Sequence, residues 1–209
     1  MPSEDRGRLR VESEGGWPVT EVIEFLDAFK YAHDDLLIFE TILESYETET
    51  RRQRRYAAFP IDVSFGPANQ PWLELSDQAL MRLIRPQDQL VLHRVELTSP
   101  GFWEFLGSLN PLEVLRRYLD DRHRRRQDRE YREPHERRRL ELESLLLENQ
   151  VLRERISFAR EFGMTDQMLT PLLNRLAYEP LQRIEIVDSR GMISSRPDSV
   201  RLTPGESDG

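Results

Sequence analysis

Cysteine is absent from the 209 residues. That excludes disulfides, thiolate nucleophiles and cysteine-ligated zinc together, and it fits a reducing cytoplasm. Lysine is nearly absent as well: Lys30 is alone among 30 basic residues, and the rest are arginine. A GC-rich genome would produce such a bias, as would use of arginine for bidentate anion contacts. Nowhere do 18 apolar residues run together, so no membrane-spanning helix is expected. Met1 to Trp17 are polar with no apolar stretch, so no signal peptide is expected.

Charge is plentiful. Asp, Glu, Lys and Arg make up 33% of the chain, more than a globular domain usually carries, which points to elongated or projecting elements. The net charge of −8 is unevenly spread. Residues 1–50 hold 13 acidic and 4 basic side chains, whereas residues 120–139 hold 9 arginines against 6 acids. A local basic face can therefore exist on an acidic chain, or its surplus can be met within the molecule by the acidic N-terminal part.

The apolar pattern predicts an α+β protein: an N-terminal amphipathic helix, a small antiparallel sheet, a long arginine-rich helix or helical hairpin, a short C-terminal helix and a β-hairpin. Residues 1–17 read as a disordered N-terminus, with Arg8–Glu12 alternating like a short edge strand before Gly15-Gly16 breaks it. Residues 18–110 read as a small α+β core. Thr20 can cap a helix, or two helices in succession, whose apolar stripe (Val22, Leu26, Phe29, His33, Leu36, Leu43) runs to about residue 48. Arg51 to Arg55 then closes that helix or opens the next loop, as a cationic cluster that favours a helix C-terminus or else binds an anion. Ile61, Val63 and Phe65 alternate, as do Val91, His93, Val95 and Leu97. Thr98-Ser99-Pro100-Gly101 is a turn and Phe102–Leu106 a returning strand, so residues 89–106 form a β-hairpin with His93 on its apolar side.

Residues 111–162 read as a charged helical arm. Asn110-Pro111-Leu112-Glu113 carries a cap, a first-turn proline and a reach-back glutamate. From Asp120 to Glu130 no residue is apolar, so that stretch is expected to project, held by pairs such as Asp120–Arg124. Pro134 either kinks the helix or lets it fold back. Leu142, Leu145, Asn149, Leu152 and Ile156 then follow heptad spacing and form the expected oligomer seam. Asn149 either sets register in that seam or faces water at its edge. Residues 163–193 hold a short helix after Phe162-Gly163 and a β-hairpin in which Ile184–Val187 and Met192-Ile193 flank a turn; residues 194–209 read as a disordered tail.

The stretch Thr98 to Glu113, TSPGFWEFLGSLNPLE, resembles a family of uncharacterised bacterial proteins in which a Ser-Pro-Gly β-hairpin precedes a long charged helix. The resemblance implies a shared fold over residues 19–187 and a bacterial source, and it transfers no catalytic residue.

No catalytic, cofactor or metal signature is present. The four histidines are far apart, no phosphate loop occurs, and Ser99 lies in no nucleophile elbow. No cofactor is expected. The leading expectation is a cytoplasmic, non-enzymatic oligomerisation or adaptor protein that binds itself or another protein. The alternatives are nucleic-acid or polyanion binding through Arg122, Arg124, Arg125, Arg126 and Arg129, and an enzyme whose site only the fold assembles.

Overall fold

A computed structural model of the chain describes residues 6–56, 77–128, 149–188, 193 and 198–201. The fold is α+β. Four antiparallel strands, β1 (Arg6–Ser13), β2 (Val91–Glu96), β3 (Gly101–Ser108) and β4 (Asp198–Arg201), lie in the order β2-β3-β1-β4. Helices cover one face: α1 (Val19–Tyr56), the short α2 (Asp77–Met81), α3 (Leu109–Asp128), α4 (Gln150–Glu161), α5 (Asp166–Leu173) and α6 (Glu179–Asp188). A π-helical turn, Asn174–Tyr178, joins α5 to α6.

The expected hairpin is β2–β3, with Val95 opposite Trp103, Arg94 opposite Glu104 and a bulge at His93. The chain enters α3 directly from β3, so Asn110 and Pro111 occupy the first helical turn. Proline loses nothing there, because first-turn N–H groups have no helical partner.

α1 is one continuous helix of 38 residues, about 57 Å long, and the Arg51–Arg55 cluster falls in its last turns. It starts one residue before Thr20, with the Pro18 carbonyl accepting from the Val22 N–H at 3.1 Å. Its sheet-facing residues match β3 step for step. The Phe25 and Trp103 rings stand 5.4 Å apart, Phe29 stacks on Phe105 at 5.0 Å, and His33 lies against Gly107. Four helical residues advance about 6 Å and two strand residues about 6.7 Å, so the two periods stay in phase across three contacts. Leu9 and Val11 from β1 complete this layer. Burying each large side chain contributes about 2 to 3 kcal/mol, which makes the α1–β3 seam the centre of the core.

Five expectations are corrected by this architecture. Arg6–Ser13 is an internal strand, because Leu9 and Val11 supply apolar side chains that the helices cover. In the tail, Asp198–Arg201 pairs with β1. Ile184–Val187 is helical rather than a strand: Leu176, Ala177, Leu181 and Ile184 are buried at three- and four-residue steps, which continues the helix. The first turn of the charged stretch does not project. Asp120 is buried, and Arg122 lies 3.7 Å from Glu185 on α6. His93 is exposed, because it is the bulge residue of an edge strand, with Nε2 3.7 Å from Glu104.

Residues 111–162 do not form one straight helix. Asn149 Nδ2 donates to the Val114 carbonyl at 3.3 Å, and Arg117 donates to the Gln150 side chain at 3.0 Å. Thirty-five residues of straight helix would separate Val114 from Asn149 by about 52 Å. The chain therefore returns to its own α3. α4 then ends at Phe162-Gly163, where Gly163 adopts φ 95° and the Met164 N–H reaches back to the Ala159 carbonyl.

Candidate functional site

Three places in the fold concentrate polar or exposed apolar chemistry. The first lies on α1, where Lys30 Nζ donates to Asp34 Oδ2 at 2.6 Å and His33 Nδ1 stands 3.3 Å from Asp34 Oδ1. Burial pushes the Asp34 carboxyl up, but hydrogen bonds from His33 and Lys30 and the lysine charge outweigh it and hold the group below the usual carboxylate range. An ionised carboxylate can only accept, so the proton sits on Nδ1 of His33. His33 Nε2 then faces Gly107 with no hydrogen-bond partner. A carboxylate that orients an imidazole is the geometry of a general base, yet His33 is 0% exposed. No substrate atom can come within the roughly 3 Å that proton transfer needs. The pair packs the helix against the sheet.

One helical heptad further along the same face, Glu40 meets α3 and α4. Its carboxyl is raised to about 7 by burial, with Glu44 adding to the shift while Arg155 and the Asn110 side chain oppose it. Arg155 Nε lies 3.5 Å away, and the Glu40 side chain is 12% exposed. A carboxyl titrating near neutrality is suited to proton transfer. Here it is enclosed by three helices and serves as their polar junction. Reading the sequence missed it among 38 acidic residues. The available signal was position: Glu40 lies on the stripe of His33, Leu36 and Leu43.

The third place is the edge of the sheet. Cross-strand partners share a face, so Leu92 and Val95 point to the helix side with Phe105 and Trp103, while Arg94 and Glu96 point outward with Glu104 and Phe102. The outward face is closed by charge: the Arg10 guanidinium sits 3.8 Å above the Phe102 ring, Arg94 lies 5.3 Å from it, and Glu104 is buried between the two strands that carry them. The helix side of β2 is open. Ten large hydrophobic side chains are exposed among the described residues, and three of them line this side of the edge: Leu92, Val95 and, just beyond β2, Leu97.

The residues expected to form the oligomer seam lie elsewhere. Leu152 and Ile156 are buried in the chain's own core, and Asn149 is the N-cap of α4. Leu142 and Leu145 are outside the described residues. Of the expected anion-binding arginines, Arg122 turns toward Glu185; the side chains of Arg124, Arg125 and Arg126, and the whole of Arg129, are outside the described residues. The expected strand over Ile61–Phe65 and the Pro134 break are outside them too. No group of three or more His, Asp or Glu suited to a metal ion occurs among the described residues. No described helix is long and apolar enough to cross a membrane.

The chain matches no family model, no curated protein and no solved structure.

Proposed function

We propose that this protein is a non-enzymatic assembly protein that associates with a second copy of itself. The observation that carries the reading is the row of exposed apolar side chains, Leu92, Val95 and Leu97, along the helix side of the β2 edge. Isolated exposed hydrophobics are ordinary; a contiguous group along an edge strand is a surface that gains by being covered. The two polar clusters support the same reading from the other side. The His33–Asp34 pair is buried and holds α1 against the sheet, and Glu40 joins three helices. The absence of cysteine fits action in a reducing compartment such as the cytoplasm.

Sedimentation velocity at concentrations from one to a hundred micromolar tests the proposal. A concentration-dependent rise in mass from 24.8 kDa toward twice that value is expected. A single monomer boundary throughout would end the reading.

A further inference from the structure

The geometry points to a specific pairing: two copies join antiparallel along β2, with Val95 of each on the two-fold axis. This rests on the self-association proposed above and names its surface. Among the described residues β2 is the outer strand, and its other neighbour is β3. A two-fold antiparallel contact places residue i opposite a residue of the second copy so that the two numbers have a constant sum. Opposed residues must also point to the same face.

Centring the axis on Val95 satisfies both conditions. Val95 meets Val95 of the other copy on the helix side. Arg94 meets the other copy's Glu96 on the outward side, and the same pair forms again across the axis. Arg94 and Glu96 share the outward face because they stand opposite Glu104 and Phe102. Opposite charges directly across an antiparallel pair stabilise it, and this register makes two such pairs from one strand.

Moving the axis by one residue fails on chemistry. An axis on Arg94 sets two guanidiniums against each other, and an axis on Glu96 sets two carboxylates against each other. An axis between Arg94 and Val95 opposes an outward side chain to an inward one. The bulge at His93 reverses the alternation beyond Arg94. It therefore confines the regular ladder to a few residues and blocks open-ended pairing of the edge. The helix-side apolar surface of Leu92 and Leu97 flanks the axis. The result is a closed dimer with a continuous eight-stranded sheet.

A charge-pair exchange on the axis tests this register. Val95 is exposed, so V95K and V95E are expected to fold, which the thermal transition of each variant checks. Each variant alone sets like charges together and is expected to weaken self-association at least tenfold in sedimentation velocity. An equimolar mixture sets Lys against Glu and is expected to restore the dimer as a one-to-one hetero-pair, which no off-axis position of residue 95 would do. Hydrogen exchange on the wild-type chain is independent of the substitutions: β2 amides are expected to slow as concentration rises. If both variants self-associate as tightly as the wild type, the β2 pairing is overturned while self-association stands. If the wild type is monomeric at a hundred micromolar, both fall.

Discussion

Glu40 shows how a single carboxyl can set the pH response of the fold. Its folded-state value of about 7 lies above the ordinary 4.5, so the folded state keeps a proton that the unfolded state has lost between those limits. Stability therefore falls as pH rises from about 4.5 to 7, by about 3 kcal/mol in total from this group, and is flat above. Glu40→Gln removes the titration and keeps the shape. The variant-minus-parent difference in unfolding free energy, measured by urea at pH 4 and pH 8, is expected to grow by about 3 kcal/mol in the variant's favour; a difference that does not move with pH would refute the assignment. Gly107 acts at the same scale by steric means. A Cβ there would stand 2.7 Å from His33 Nε2, so Gly107→Ala is expected to cost about 2 kcal/mol. In a His33→Ala background the same change should cost well under half as much, and additive costs would show that the ring is not what Gly107 makes room for. His33 was legible in the sequence as a packed histidine on an apolar stripe. Its partner was not, since a glycine in a strand gives no sign of which side chain approaches it.

At the scale of elements, apolar periodicity located α1 and β2, the Thr98–Gly101 turn located the hairpin, and the Asn110-Pro111 cap signal located the start of α3. Periodicity failed where pairing across the chain decides. β1 is half charged, with Arg6, Arg8, Arg10 and Glu12 outward, and it reads as an edge until the helices that bury Leu9 and Val11 are in place. Ile184–Val187 has strand composition, yet the buried residues upstream continue the helix through it. The α4 start is a third case. Asn149 sits at heptad spacing with Leu152 and Ile156, but its Oδ1 accepts from the Leu152 N–H at 3.5 Å and its Nδ2 donates to Val114, so the residue begins a helix and ties it to another. Asn149→Ala is expected to lose about 2 kcal/mol, combining a cap with a buried hydrogen bond. Asn149→Ser, which can cap but cannot reach Val114, should recover about half of that in the same unfolding assay. If Ser were no better than Ala, the cap would contribute nothing.

At the scale of the molecule, charge density misled the sequence reading more than any other signal. Eleven residues from Asp120 to Glu130 without an apolar side chain look bound for solvent. Asp120 and Arg122 instead lie at the start of that stretch inside the helical layer, because a charged side chain with a partner can be buried where an unpaired one cannot. Residues 111–162 read as a charged arm that kinks or folds back at Pro134, and the return of the chain at Asn149 brings α4 into the core that α1, α3 and the sheet share. A distance measurement across the return separates the two pictures. The chain has no cysteine, so R117C/Q150C supplies the only two thiols for spin labels. The native side chains of Arg117 and Gln150 meet at 3.0 Å, so the labels should couple within the short range of pulsed electron resonance, about 20 to 25 Å at most once both linkers are included. A continuous helix would hold those positions about 50 Å apart. A distribution centred near that value would undo the packing of α4 on α3 and return Leu152 and Ile156 to the surface, where they could serve as a seam. A short distance leaves the β2 edge as the apolar surface still open to a partner.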